Sequence, residues 1–134
     1  MSANLDLVRS IYADWEQGDL FTSAEWADPD IECVMVDGPA PSRRTGLAGM
    51  AQITREFVSA YEDFSVSAQE YREIDERHVL VLIQFGGRAK TSGLELGQIA
   101  GRNASLLHVE YGTVRRLALY WDRDRAFSDL GLEE

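Results

Sequence analysis

The side chains in this chain that could move protons or hold metals are few and scattered. Two histidines, His78 and His108, stand thirty positions apart, and a single cysteine, Cys33, has no second thiol to pair with. A lone cysteine excludes an internal disulfide and a cysteine-rich zinc site. Histidines so far apart, with no Asp or Glu at ligand spacing, form no recognisable metal motif, and no metal or other cofactor is expected. Gly46-Leu47-Ala48-Gly49 opens a helix but lacks the lysine and the preceding strand of a phosphate loop.

Carboxylates are the other candidates. Near the C-terminus the chain reads LALYWDRDRAFSDLGL, Leu117 to Leu132, and Asp122 is either a catalytic acid or a helix cap. Phe127 and Leu130 lie three apart and Gly131 can stop a helix, so Asp122 stands where the first free helical N–H groups need an acceptor. With Arg125 rather than Glu or Gln three residues on, the capping box is half present. Asp122 reads as a cap. Asp14 flanks the apolar stripe of the first helix beside Trp15. A partly desolvated carboxylate there would have a raised pKa suited to general acid–base work, but the rarity of buried aspartate favours a solvated flank.

The elements that must position these groups follow from periodicity. Leu5, Val8, Ile11, Tyr12 and Trp15 recur at helical spacing, and Gly18 supplies a stop. A second short helix is expected over about Leu20 to Trp26, broken at Asp28-Pro29, and then a strand from Ile31 to Val36. Met50, Ile53, Phe57 and Tyr61 give a longer helix over about Leu47 to Tyr61. Strands are expected at Val66 to Ile74, His78 to Phe85, Leu94 to Tyr111 (bulged near Gly97 or Gly101) and Val114 to Trp121, before a terminal helical turn. Helices followed by a long antiparallel meander predict an α+β fold, with helices packed on one face of a curved sheet that encloses a pocket. The hairpin at Gly112 decides where His108 points. A plain two-residue turn puts it on the pocket face with Leu106. A three-residue turn with a glycine bulge turns Ser105, Leu107 and Val109 inward and His108 out, and the large apolar pair Leu107 and Val109 favours this arrangement.

Composition bounds the partners. At 134 residues, 45% apolar and 27% charged, the chain reads as one domain over residues 1–134, with no linker, repeat or membrane-spanning stretch. MSANLDLVRS lacks a basic region followed by an apolar one, so a cytoplasmic protein is expected. A net charge of −10 repels phosphate backbones and anionic membranes, and the doublets Arg43-Arg44 and Arg115-Arg116 form no basic patch with interleaved aromatics. Neither nucleic acid nor membrane is an expected partner.

Trp15 followed by Gly18-Asp19, the run ADPDI from Ala27 to Ile31, Gly46 opening the long helix, the hairpin at Gly112 and the ending ALYWDRDRAFSDLGL occur in an order that covers nearly the whole chain. In these features the sequence resembles the SnoaL-like branch of the nuclear-transport-factor-2-like superfamily, whose fold also houses ketosteroid isomerases and limonene-epoxide hydrolases. The resemblance implies a cone-shaped barrel, the curved antiparallel sheet wrapping the N-terminal helices around an internal pocket. It also implies that Leu117, Leu119 and Trp121 point into the cone and that Asp14 lies near its wall. The family's catalytic positions are occupied unusually. The carboxylate of cyclases and epoxide hydrolases, seven residues after the turn glycine, corresponds to Leu119. The isomerase base falls near Val34, its tyrosine at Ser10 and its second acid near Ser105. Valine and leucine cannot shuttle a proton.

Two functions are therefore expected. One is an enzyme of cyclase, isomerase or hydrolase type using Asp14 or His108 in a non-standard arrangement. The other is a non-catalytic module gripping a small apolar molecule by shape. Expected ligand contacts are Trp15, Trp26, Val34, Met35, Phe57, Phe85, Ser105, Leu107, Leu117, Leu119 and Trp121. A homodimer is expected because Val79, Val81 and Ile83, or their alternates, would leave the outer sheet face apolar.

Overall fold

In the computed structural model, residues 3–17, 25–37, 41–95 and 102–132 are described. Helix α1 (Ala3–Glu16) buries Val8, Ile11 and Tyr12 from the expected stripe. The expected helix at 20–26 and the bulge near Gly97 or Gly101 fall outside the described residues, except that Glu25 and Trp26 form a turn. Strand β1 (Ala27–Met35) starts four residues before the expected Ile31. Its pairing is irregular between Ala27 and Glu32, and Pro29 sits in that irregularity, where a missing N–H is tolerated. A short strand not read from the sequence, β2 (Ser42–Thr45), pairs back on β1. Helix α2 (Gly46–Ala60) runs directly into β3 (Tyr61–Glu73), which begins five residues before the expected Val66.

Strands β4 (His78–Ala89), β5 (Asn103–Glu110) and β6 (Thr113–Tyr120) complete a sheet of order β2-β1-β6-β5-β4-β3. Two features depart from expectation. The sheet is curved but open rather than a closed barrel, and β1 joins β6 in parallel while every other pair is antiparallel. Gly86 and Gly87 lie inside β4 instead of ending it. The backbone of β3 passes so close that a Cβ on Gly87, whose φ is 125°, would meet the Glu62 carbonyl oxygen at 2.8 Å.

The turn between β5 and β6 combines the two sequence alternatives. Only Tyr111 and Gly112 separate the strands, both at positive φ (52° and 77°), as in a two-residue hairpin. One step further in, the register shifts between His108 and Val109, so that Val109 faces Val114 while His108 faces Arg116. Arg115 is the extra residue of a bulge. Ser105, Leu107 and Val109 therefore face the helices, and His108 faces away.

Val79, Val81 and Ile83 also face α1, and all are 1% exposed or less. These three thus lie inside, and it is their alternates, Leu80 and Leu82, that lie on the outer face. The outer face carries Leu80, Leu82, Ala104, Leu106, Ala118 and Tyr120, packed with Ala126 and Phe127 of helix α3 (Arg123–Leu130). Asp122 is the N-cap of α3, accepting from the Asp124 N–H at 3.0 Å, and Gly131 closes the helix in the left-handed conformation.

The junction of β6 and α3 is held by a buried polar knot. Arg123, 7% exposed, donates to the carbonyls of Asn103 (3.0 Å) and Ile83 (2.9 Å) and to Oε1 of Gln69 (2.7 Å). Asn103 accepts from the Phe85 N–H and donates to the Trp121 carbonyl. Asp37 accepts from the N–H groups of Trp121 and Asp122. The irregularity in β3 between Ala68 and Glu70 turns Gln69 toward this knot.

Candidate functional site

Between the inner sheet face and helices α1 and α2 lies a cavity of about 140 Å³. Tyr12 and Trp15 come from α1, Trp26 from the turn before β1, and Cys33 and Val34 from β1. Helix α2 lays Leu47, Met50, Ala51, Ile53 and Thr54 along one side. Phe64 and Val66 of β3, Ile83 and Phe85 of β4, and Leu117 and Leu119 of β6 complete the wall. Leu47 is 40% exposed and marks the rim.

The aromatic rings meet mostly at steep angles. Trp15 stands edge-to-face to both Tyr12 (4.8 Å, 72°) and Trp26 (5.8 Å, 74°), and Phe64 leans on Phe85 at 5.7 Å. Such offset contacts suit the ring quadrupole and hold the walls in place.

Polar groups in the wall are few and electrically neutral. The Thr54 hydroxyl donates to the Met50 carbonyl within α2. Tyr12, fully buried, shares a hydrogen bond with the equally buried Ser105 of β5. Burial pushes the Tyr12 phenol far above its ordinary range, an effect larger than the opposing one of its Ser105 bond. The Cys33 thiol is pushed up to about 11, first by burial and then by the nearby Glu32 carboxylate. Both groups keep their protons at neutral pH. Among the described residues no Asp, Glu, His, Lys or Arg lines the cavity, and no three His, Cys, Asp or Glu side chains are grouped to hold a metal.

Six of the residues expected from the sequence line this space: Trp15, Trp26, Val34, Phe85, Leu117 and Leu119. Met35, Leu107 and Trp121 belong to the same buried core but not to the wall. Ser105 lies behind Tyr12, and Phe57 sits on α2 with its side chain outside the described residues. Asp14 is exposed on α1, not at the wall implied by the resemblance, because the helix turns Tyr12 and Trp15 inward and Asp14 away. His108 is half-buried on the outer face, stacked on His78 with ring centres 4.7 Å apart, and its Nε2 meets Glu110 at 3.1 Å. His78 in turn meets Asp75 through Nδ1 at 2.9 Å. The fold brings the two distant histidines together, but on the face opposite the cavity.

Tyr12, Cys33, Phe64, Ile83 and the α2 residues were not anticipated as ligand contacts. A signal existed for several of them: Met50 and Ile53 form the apolar stripe of α2, and such a stripe must border whatever the sheet and helix enclose. Phe64 had none, since it lies in the first half of β3, where Glu62, Asp63 and Ser65 mask the strand pattern.

No family model and no curated protein matches the chain. Solved structures do match it. A protein with a cystatin-like fold from Xanthomonas campestris is 18% identical, with 99% of this chain and 100% of that one covered and a TM-score of 0.74. A nuclear-transport-factor-2-like protein from Burkholderia pseudomallei is 17% identical, over 96% of this chain and 97% of that one, with a TM-score of 0.75. A proposed SnoaL-like polyketide cyclase from Mesorhizobium loti is 16% identical, over 90% and 99%, with a TM-score of 0.67. At such identities the likeness establishes the fold, and these are the fold relatives to which the sequence resemblance points.

Proposed function

We propose that this protein, an α+β domain of the nuclear-transport-factor-2-like fold, binds a small apolar organic molecule in its inner cavity and holds it by shape. The observation that carries this reading is an aromatic and aliphatic wall with no side chain, among the described residues, that could serve as a general base at neutral pH. The fold does not decide between enzyme and binder, since the same scaffold hosts both. A cyclase or isomerase reading draws support from the name of the Mesorhizobium relative. It needs a proton acceptor beside the ligand, and Asp14 and His108, the two candidates from the sequence, both lie away from the wall.

Thermal unfolding with a panel of apolar molecules tests the proposal. A ligand at a hundred times its Kd stabilises the folded state by about 2.7 kcal/mol, which is readily seen as a rise in Tm. The expected result is a rise that is lost in Leu119→Trp, which fills the space, and retained in Asp14→Asn. A panel that leaves Tm unmoved would overturn it, as would a turnover that Asp14→Asn or His108→Ala abolishes.

A further inference from the structure

We infer that the ligand of this cavity is a neutral molecule built on a single aromatic ring, with any substituent directed out past Leu47. The inference rests on the binding function proposed above and narrows it. Size is the first ground. The cavity is about 140 Å³, and an apolar protein cavity of about 150 Å³ stays dry and takes benzene. One ring fills such a space, whereas a fused system of three or four rings exceeds it.

The floor does not give way easily. Tyr12 and Ser105 are both 0% exposed and joined by a hydrogen bond that ties α1 to β5 across the bottom of the space. Lengthening the cavity in that direction would break this bond and expose two buried hydroxyls. The remaining direction is the rim, where Leu47 is 40% exposed.

The walls decide the chemistry. Trp15 and Trp26 touch edge-to-face at 74° and so form a corner, in which a ring stacked on the free face of one meets the other by its edge. Phe85 and Phe64 add two further rings to the lining. Charge is excluded by the absence of any ionised partner in the described wall: a carboxylate or ammonium entering it would lose its hydration with nothing in return.

The test is a titration of tryptophan emission with toluene, benzoate and fluorene, the last a neutral system of three fused rings. Toluene is expected to bind at least tenfold more tightly than either of the others. Ala51→Leu, which narrows the space from α2, is expected to weaken toluene at least tenfold while leaving Tm in the absence of ligand unchanged or higher. Leu119→Trp serves as a second variant should the first fail to fold. Fluorene or benzoate binding as tightly as toluene overturns the inference and leaves the proposed binding function standing. Failure of all three, together with an unresponsive apolar panel, overturns both.

Discussion

The inner and outer faces of this sheet are built from the same strands, yet they divide the chemistry of the molecule between them. On β4, β5 and β6 the inward residues include Ile83, Phe85, Ser105, Leu117 and Leu119, which surround or underlie a void. The outward residues at one end of the same strands include His78, His108 and Arg116, each engaged by a carboxylate: Asp75, Glu110 and Glu32 respectively. At the other end Arg123 and Asn103 bond to the backbone of Ile83, Phe85 and Trp121, to one another and to Gln69. The protein thus has proton-transfer groups in ordinary number, but it spends them on solvent-facing pairs and on a structural knot. Among the described residues the cavity wall keeps two groups that could ionise, the Tyr12 phenol and the Cys33 thiol, and burial holds both protonated at neutral pH.

The sharpest way to break this division is at the knot. Asn103→Ala removes the bonds that Asn103 supplies to the Phe85 N–H and the Trp121 carbonyl, both buried, and should cost about 3 kcal/mol in a urea titration. A loss below about 1 kcal/mol would show that water or a rearranged Arg123 replaces it. Next in size is the hydroxyl pair of the inner face. Tyr12→Phe keeps the ring and deletes one hydrogen bond, so about 1 kcal/mol is expected. Asp122→Ala, which removes the cap of α3, should also cost about 1 kcal/mol but leave toluene affinity untouched, whereas Tyr12→Phe should alter it.

Alkaline pH sharpens the comparison further. The folded-state pKa of Cys33 is raised to about 11, so folded protein keeps a proton that unfolded protein releases near its ordinary value. The unfolded state then binds fewer protons, and stability falls as pH rises from about 9 toward 11. Below that window Cys33 contributes no pH dependence. Cys33→Ala should flatten the fall in Tm across the window, and a wild-type curve that stays flat there would contradict the buried assignment. In the folded protein at pH 8, about one thiol in a thousand is ionised, so alkylation should be slow until denaturant is added. The smallest effect is expected at the outer face: His108→Ala removes a stacked cross-strand pair with His78, worth about 0.5 kcal/mol, without altering ligand affinity.

The sequence was most legible where one physical rule dominates. Period and capping placed α1, α2 and the start of β4 to within a residue or two, and identified Asp122 as a cap, because each depends on neighbours in the chain. The early start of β3 was hidden by Glu62, Asp63 and Ser65, polar residues on an edge strand that buries little. The parallel pairing of β1 with β6 was hidden because no local signal announces a partner at that distance. For the site, the family resemblance implied Leu117 and Leu119, and Phe85 was expected as an aromatic contact. His108 depended on a bulge at Arg115 that reverses the face expected of a two-residue hairpin, and a one-residue shift of that kind is set by packing.

That parallel pairing also constrains how the chain can fold. Strand β1 is seated between β2 and β6, and the bond that Arg116 Nε donates to Glu32 Oε1 joins positions 84 apart. On a ribosome β1 emerges early and must wait for β6, the last strand of the sheet, before its second edge is covered. Until then Cys33, Val34 and Met35 are paired on one edge by the four-residue strand β2, and the other edge is open. Contacts of such long sequence separation slow folding, and an uncovered strand edge in the interval invites pairing with other chains. A chain truncated before residue 113 is therefore expected to aggregate more readily than the whole chain, by light scattering during refolding.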